Sequence, residues 1–245
     1  TDRWFGRKSK WYVSGAKPGD GPGEFENVVD VEVIPAKEAD GFAAMDAKGK
    51  VAVYDDQGRP RISWTVETRG QAESGLGGTS YLEWSPKKKQ LIAIIEDQVV
   101  SYSLDSEEIG RYELEDGTPN AAEVAKNGRL LLVYGDEIKE VNPADGFNYG
   151  TIIGDDILGE GFEDVDLTMD EDNRLWVLTD TGWVFKFKKP GKLDFKLRAF
   201  ERPLEHPRIA VREGILYMCS DERIERVDIL QMQLDQKAKA AEAGE

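Results

Sequence analysis

The sequence predicts an all-β protein made of repeated antiparallel units, and three observations support this prediction. Apolar, β-rich segments that end in an aspartate recur roughly every 45 residues. A second apolar segment follows each aspartate, so each unit contains a tight hairpin. Another strand candidate precedes each hairpin, at residues 28–34, 80–85, 121–125, 165–169 and 208–212.

The outer and middle strands of these units differ in their hydrophobic pattern. Apolar Ile62, Trp64 and Val66 alternate with polar residues, which is typical of a strand with one face in water. Residues 91–95 and 130–134 are apolar on both faces, as expected for covered strands. A four-stranded antiparallel sheet with a covered middle and one wet outer strand is a blade of a β-propeller. We therefore predict a single β-propeller of about five four-stranded antiparallel blades.

The two ends of the chain indicate how the ring would close. Residues 224–229 run without a turn into a segment of good helix formers, so the fifth unit lacks an outer strand. Residues 10–14 have strand composition, and we predict that they complete the last blade, because closure removes two exposed sheet edges. The predicted propeller domain spans residues 1–230, and residues 231–245 form a helical or frayed tail. A six-bladed ring is the alternative, and it would need a unit hidden in or near the Gly-rich residues 69–83.

The first unit carries two recognisable motifs. Residues 19–25 are Gly-Asp-Gly-Pro-Gly-Glu-Phe, and residues 51–58 are Val-Ala-Val-Tyr-Asp-Asp-Gln-Gly. This unit resembles an NHL-type repeat, in which a G-x-G-x-G-x-F loop enters the blade and the third strand ends in a V-x-V-[FY]-D-x-x-G turn. The match is good over residues 19–58 and loose over the other units. The resemblance implies a propeller, although most NHL-type rings have six blades rather than five.

Acidic residues dominate the charge. The 245 residues include 48 Asp and Glu against 32 Lys and Arg, which gives a net charge of −16. In a propeller, the loops that enter the blades share one rim with the turns between second and third strands, and these segments are the acidic ones. Lysine clusters such as residues 87–89 belong to the opposite rim. The acidic rim would repel nucleic-acid phosphates and attract a basic or flexible protein segment.

The predicted binding rim consists of ten acidic residues. They are Asp46, Asp97, Asp136, Asp155, Asp156, Glu160, Glu163, Asp164, Asp180 and Asp221. The five aspartates that end the hairpin strands have a plainer alternative role, because aspartate side chains bond backbone donors in tight turns. The alternative for the acidic surplus as a whole is that it keeps the domain in solution.

One acidic loop is a candidate metal site. Residues 154–164 hold five carboxylates, and calcium accepts many oxygen ligands in irregular geometry. We therefore name Asp155, Asp156 and Glu163 as candidate calcium ligands. Their spacing does not follow the EF-hand pattern, and a solvated acidic loop is the alternative. No other cofactor is predicted, since no P-loop, Rossmann or H-E-x-x-H motif occurs.

Residues suited to catalysis are scarce. His206 and Cys219 are the single histidine and cysteine, and no G-x-S-x-G elbow presents a nucleophile. We therefore predict a non-enzymatic protein-interaction propeller, a scaffold or binding module within a larger bacterial chain or assembly. A cation-dependent hydrolase or lyase with carboxylates at the channel mouth is the alternative, so the question of enzyme activity stays open. Carbohydrate binding, suggested by the aromatic residues, is a weaker third alternative.

Targeting signals give little information. No apolar run approaches the roughly 20 residues of a membrane-spanning helix, so no membrane span is predicted. The sequence begins at Thr1 rather than at a methionine, which we interpret as trimming or excision. The compartment is left open, with an extracytoplasmic or periplasmic location slightly favoured.

Deletion of residues 1–14 tests the predicted closure. The deletion should expose a sheet edge on the last blade, so we expect aggregation or a melting temperature lower by about 5 °C or more. Size-exclusion chromatography and thermal unfolding measure the two effects. A monodisperse variant with an unchanged melting temperature would contradict the assignment of this strand.

Overall fold

The computed structural model describes residues 21, 23–25, 28–35, 37–38, 40–67, 80–135, 137–141, 150–153, 155–158, 162, 164–189, 191–220 and 223–231. Within these residues the chain forms five antiparallel sheets whose strands are paired in chain order. Each sheet is a simple meander with no crossover. This is the strand arrangement of propeller blades, and the predicted all-β fold with five blades is confirmed.

The strands of the first two sheets are as follows. The first sheet contains β1 (Val28–Ile34), β2 (Gly41–Asp46), β3 (Lys50–Asp55) and β4 (Pro60–Thr65). The second contains β5 (Ser80–Ser85), β6 (Gln90–Ile95), β7 (Gln98–Tyr102) and β8 (Glu108–Glu113). Both sheets belong to one compact unit of the chain, which comprises residues 1–119 and 126–128.

The remaining sheets belong to a second compact unit, residues 120–125 and 129–245. The third sheet contains β9 (Ala121–Val124), β10 (Leu130–Tyr134), β11 (Glu137–Val141) and β12 (Gly150–Ile153), followed by a short helix α1 (Asp155–Leu158). The fourth contains β13 (Val165–Met169), β14 (Leu175–Thr179), β15 (Trp183–Lys189) and β16 (Lys192–Arg198). The fifth contains β17 (Arg208–Arg212), β18 (Ile215–Ser220) and β19 (Arg223–Asp228).

The fifth sheet has three strands within the described part of the chain, in agreement with the missing outer strand expected from the sequence. The strand predicted to complete it, residues 10–14, lies outside the described residues. The predicted tail lies outside them as well, apart from Gln231. Both assignments, and the domain boundaries based on them, stay predictions.

Hydrophobic burial follows the strand patterns. Side chains of the middle strands β6 and β14 are almost all buried, whereas those of the outer strands β4 and β8 are exposed at the strand ends and partly buried in between. In the first unit a core cluster joins the first two sheets, and it includes Val53, Leu82 and Trp84. In the second unit separate clusters join the third sheet to the fourth and the fourth to the fifth. Burial between sheets therefore stabilises each unit.

Tight turns depend on side chains that accept backbone hydrogen bonds. Asp46 Oδ1 accepts the N–H groups of Lys48 and Lys50 at 2.9 and 3.0 Å, and the backbone between them turns at Gly49, which has a φ of 76°. Glycine adopts this left-handed conformation without the steric penalty of a Cβ. The next turn of the first sheet, where Asp55 Oδ1 accepts two N–H groups, repeats this arrangement.

The first strands of neighbouring sheets are joined by side-chain carboxylates. In the first unit, Asp30 Oδ2 on β1 accepts the N–H of Leu82 on β5 at 2.8 Å. Glu32 Oε1, two residues further along β1, accepts the N–H of Trp84 at 3.3 Å. Because β5 lies at the edge of its sheet, these amides point away from their own ladder, and the carboxylates of the preceding sheet satisfy them.

The second unit contains the same arrangement. Asp166 Oδ2 on β13 accepts the N–H of Ile209 on β17 at 2.8 Å. A further bond joins the turns beyond these strands, where Glu171 Oε1 accepts the N–H of Glu213 at 3.0 Å. Acidic residues on a first strand therefore link one sheet to the next in both units, in addition to apolar packing.

The position of Glu32 between the two sheets raises the pKa of its carboxyl group. Burial, together with the nearby charge of Asp30, raises the pKa of the Glu32 carboxyl to about 8. The bond from Trp84 opposes this shift but does not cancel it. At neutral pH the folded protein therefore retains a proton on Glu32 that the unfolded chain releases.

Replacement of Glu32 tests this conclusion through pH. Stability contributed by the protonated carboxyl is present in full below pH 4.5 and is lost as the pH rises to about 8, by up to ~1.4 kcal/mol per pH unit. Glu32→Gln keeps the acceptor oxygen and removes the titration. We expect urea denaturation to give a flatter profile between pH 5 and 8 for this variant, and higher stability than the parent at pH 8. Parallel profiles for the two proteins would contradict the shifted pKa.

Candidate functional site

Connecting loops and hairpin turns lie side by side in each unit. In the first unit, the turn between β2 and β3 contacts the loop after β4 through a bond from Val66 N–H to Gly49 O of 2.9 Å. The turn between β6 and β7 contacts the loop after β8 in the same way, through a 2.6 Å bond from Leu114 N–H to Asp97 O. These contacts place the loops and the hairpin turns at the same end of the strands, as expected for propeller blades.

Two residues of the predicted binding rim meet in the second unit. Asp164 precedes β13, and Asp180 follows β14. The Asp180 N–H donates to Asp164 O at 2.9 Å, and Asp180 Oδ2 accepts the N–H of Asp164 at 3.2 Å. Both side chains are partly exposed. The antiparallel pairing of β13 with β14 therefore brings two carboxylates from opposite ends of a hairpin to one edge.

The hairpin aspartates occupy different positions in their turns. Asp46 is buried and accepts the turn amides described above. Asp97 is the second residue of a two-residue turn between Ile95 and Gln98. In the fourth sheet, Thr179 takes the place of Asp46: its Oγ1 accepts the N–H of Trp183 at 3.3 Å. The predicted equivalence of these aspartates therefore does not extend to their geometry.

The other members of the predicted rim cannot be placed. Asp136, Glu160, Glu163 and Asp221 lie outside the described residues, as do the side chains of Asp155 and Asp156 on α1. Among the residues that are described, no group of three or more His, Cys, Asp and Glu side chains is arranged to hold a metal ion. The side chains of Asp155, Asp156 and Glu163 lie outside this set, so the calcium site stays a prediction. Within the same described ranges, no helix has the length and apolarity needed to cross a membrane.

A cleft of about 220 Å³ lies between the fourth and fifth sheets, within the second unit. Its walls come from the turn between β13 and β14, from the turn between β17 and β18, and from the residues that follow β19. Four carboxylates and two cations line it, together with apolar residues; the charged residues are Asp170, Glu171, Asp172, Glu213, Arg174 and Lys186. The lining of the cleft is therefore net negative, although it includes two positively charged side chains.

Lys186 is the most unusual of these residues. Its side chain is only 3% exposed, although lysine is rarely buried without a strong partner. It lies on β15 between Trp176 of β14 and Phe195 of β16, which are its direct cross-strand neighbours. The Nζ atom lies 5.0 Å from the Trp176 ring centre and 5.5 Å from that of Phe195. Two aromatic faces therefore replace part of the water that an exposed ammonium would bind.

A single carboxylate balances the Lys186 charge at short range. Asp194 Oδ2 lies 3.6 Å from Nζ, while Asp194 Oδ1 pairs with Lys188 at 2.9 Å. Burial lowers the pKa of Lys186, and the nearby Arg174 guanidinium lowers it further, against the opposing charges of Asp194 and Asp170. Desolvation and a neighbouring cation are the two conditions that favour a neutral lysine amine.

Asp170 organises the edge of the cleft. Its Oδ1 accepts the N–H groups of Asp172 and Arg174 at 3.0 and 2.9 Å, and its Oδ2 accepts Trp176 Nε1 at 3.1 Å. Arg174 Nε lies 3.1 Å from the same Oδ2. One buried carboxylate thus holds the turn, the guanidinium and the indole that flank Lys186.

Sequence reasoning did not single out Lys186 or Asp170. A charged residue in Trp183-Val184-Phe185-Lys186-Phe187 breaks an otherwise apolar middle strand, and this was the available signal. The signal is weak, because lysines recur along this strand at Lys188 and Lys189. The other candidates are less informative: His206 is exposed in a loop, and Cys219 lies half-buried on β18.

Comparison with known proteins identifies the fold but not a family. No family model matches the chain, and no curated protein matches it. Among the solved structures, 1117 chains are similar. One of them is the crystal structure of the Cps50 (Swd1) β-propeller domain of Myceliophteria thermophila, with a TM-score of 0.60 and 12% identity over 83% of this chain. The match covers 65% of that domain, so this chain spans less than two thirds of its length.

A likeness at this level of identity shows the fold alone. The chain has the fold of a β-propeller. The specific resemblance of residues 19–58 to NHL-type repeats is not confirmed by any family model and stays a prediction.

Proposed function

We propose that this protein is a non-enzymatic interaction propeller whose acidic rim binds a basic or flexible segment of a partner protein. The fold supports this proposal, because propellers present many loops on a rigid frame without requiring catalysis. We further propose that it acts as one module of a larger bacterial chain or assembly, with a first blade of the NHL type.

The observation that carries the proposal is the clustering of carboxylates where loops meet hairpin turns. Asp164 and Asp180 are joined through their backbones at one edge of the fourth sheet. In the second sheet, Glu96 is exposed in a hairpin turn, and Glu115 is exposed in the loop that contacts this turn. In each unit, acidic residues of a hairpin turn and of a connecting loop thus lie at the same end of the strands.

In the first sheet, specific contacts hold the hairpin turn between β2 and β3 against the loop before β1. Lys50 Nζ donates to Gly21 O and Glu24 O at 2.7 and 2.8 Å, which ties the hairpin turn to the loop before β1. Phe25 from that loop packs beside Tyr54, whose ring stacks on Phe42 at 4.4 Å. Phe25 and Tyr54, one from each NHL-like motif, therefore belong to one aromatic cluster with Phe42.

The alternative function, a cation-dependent hydrolase or lyase, depends on carboxylates at the channel mouth and on the calcium ligands named above. No described contact favours it over the interaction function, so we retain it only as the alternative.

Binding of a fluorescein-labelled peptide of alternating lysine and glycine tests the proposal. We expect measurable affinity at low salt that weakens as sodium chloride rises, because exposed charges are screened over ~8 Å at physiological ionic strength. Each of Glu96→Gln and Glu115→Gln should weaken binding by about two- to fivefold, the range expected for exposed ion pairs. Fluorescence anisotropy measures both effects.

Glu107→Gln is the matched control. Glu107 is also an exposed turn glutamate of the second sheet, but it lies in the turn between β7 and β8, at the opposite end of the strands. It should leave the affinity unchanged. A complex that is indifferent to salt, or equal losses for all three variants, would contradict binding by the acidic rim.

A further inference from the structure

We propose that Lys186 is a carbonyl-reactive amine, and that the cleft between the fourth and fifth sheets is a binding site for small neutral aldehydes that condense with it. This inference goes beyond the proposed interaction function and rests on different residues. The proposal for Lys186 would still hold if the acidic rim bound no partner protein.

The geometry of Lys186 supports a reactive rather than a purely structural amine. The Lys186 side chain is only 3% exposed, and its Nζ faces the rings of Trp176 and Phe195, so little water can solvate the ammonium. The carboxylate of Asp194, 3.6 Å away, favours the protonated form. Desolvation and the nearby Arg174 guanidinium act in the opposite direction, and the pKa of Lys186 is lowered on balance.

The cleft supplies access and sets the size of the ligand. Lys186 is one of its lining residues, beside Arg174 and Trp176. A volume of about 220 Å³ is below the roughly 300 Å³ at which sites for drug-sized ligands begin, so it suits molecules of a few heavy atoms. Val211 and Ile229 give the cleft an apolar wall.

The charge of the lining determines the class of carbonyl compound. Four carboxylates oppose two cations around the cleft, and an anionic ligand would meet net repulsion. A neutral aldehyde avoids this repulsion. Three of these carboxylates are engaged in contacts with the protein: Asp170 accepts Trp176 Nε1, Glu171 accepts the N–H of Glu213, and Asp172 pairs with Arg174.

The reaction balances without any further reagent. The ammonium of Lys186 first releases a proton to water, and the neutral Nζ then attacks the carbonyl carbon to form a carbinolamine. The carbinolamine loses its hydroxyl group and the remaining N–H proton as one molecule of water, which leaves a carbon–nitrogen double bond. The step is reversible, and no group is oxidised or reduced.

Reductive trapping tests the proposal. The purified chain is incubated at pH 7.5 with glycolaldehyde and sodium cyanoborohydride, and the initial rate of modification at each lysine is measured by peptide mass spectrometry. Lys188 is the matched control, because it lies on the same strand, pairs with the same Asp194 and is 59% exposed. We expect Lys186 to react faster than Lys188 although it is far less exposed, because burial lowers the pKa of Lys186 and leaves more of its amine in the nucleophilic neutral form.

Variants and a second probe complete the test. Lys186→Arg should abolish trapping at this position and leave that of Lys188 unchanged, and Lys188→Arg should leave that of Lys186 unchanged. If Lys186→Arg does not fold, Lys186→Met serves instead, since it keeps the unbranched stem and removes the charge. Glyoxylate, which is anionic, should react with Lys186 more slowly than glycolaldehyde. Faster modification of Lys188 than of Lys186, or a preference for glyoxylate, would overturn the proposal.

Discussion

In both units, a side-chain carboxyl group on the first strand of one sheet accepts a hydrogen bond from a backbone amide of the next sheet, and this bond holds the two sheets in register. The first strand of a blade is an edge strand, and half of its backbone groups have no partner in its own ladder. Asp30 and Glu32 satisfy two amides of β5, and Asp166 satisfies one of β17. Leaving such a group unpaired costs about 1–3 kcal/mol, so the sheets cannot slide past one another without loss.

Because of these bonds, part of the acidic surplus has a structural role. A net charge of −16 suggests a solvated surface or a binding rim, yet several carboxylates of the described residues serve the fold. Asp46, Asp55 and Asp170 hold turns, and the first-strand carboxylates join sheets. Glu96 and Glu115, by contrast, are exposed at the surface. The buried carboxylates fix the turns, and the fixed turns hold the exposed acidic side chains in place.

The sequence predicted the strands well because each depends on local periodicity. The first strands were placed within one residue, and the apolar middle strands proved to be buried. Contacts between sheets were beyond such reasoning, since nothing in Val28–Ile34 indicates that Asp30 and Glu32 reach residues fifty positions away. The cleft was missed for the same reason: Lys186 is an ordinary lysine in sequence, and its burial becomes visible only when Trp176 and Phe195 flank it. The equivalence of Thr179 to Asp46 was missed because the repeat was identified by its aspartates.

Amide hydrogen exchange can show whether the carboxyl groups of one first strand protect the amides of the next. Residue-resolved exchange should be measured for the parent, for Asp30→Ala and for Asp166→Ala. The account predicts faster exchange of the Leu82 amide in Asp30→Ala with the Ile209 amide unchanged, and the reverse in Asp166→Ala. Unchanged protection of Leu82 in Asp30→Ala, or loss of protection spread evenly over both units, would contradict it.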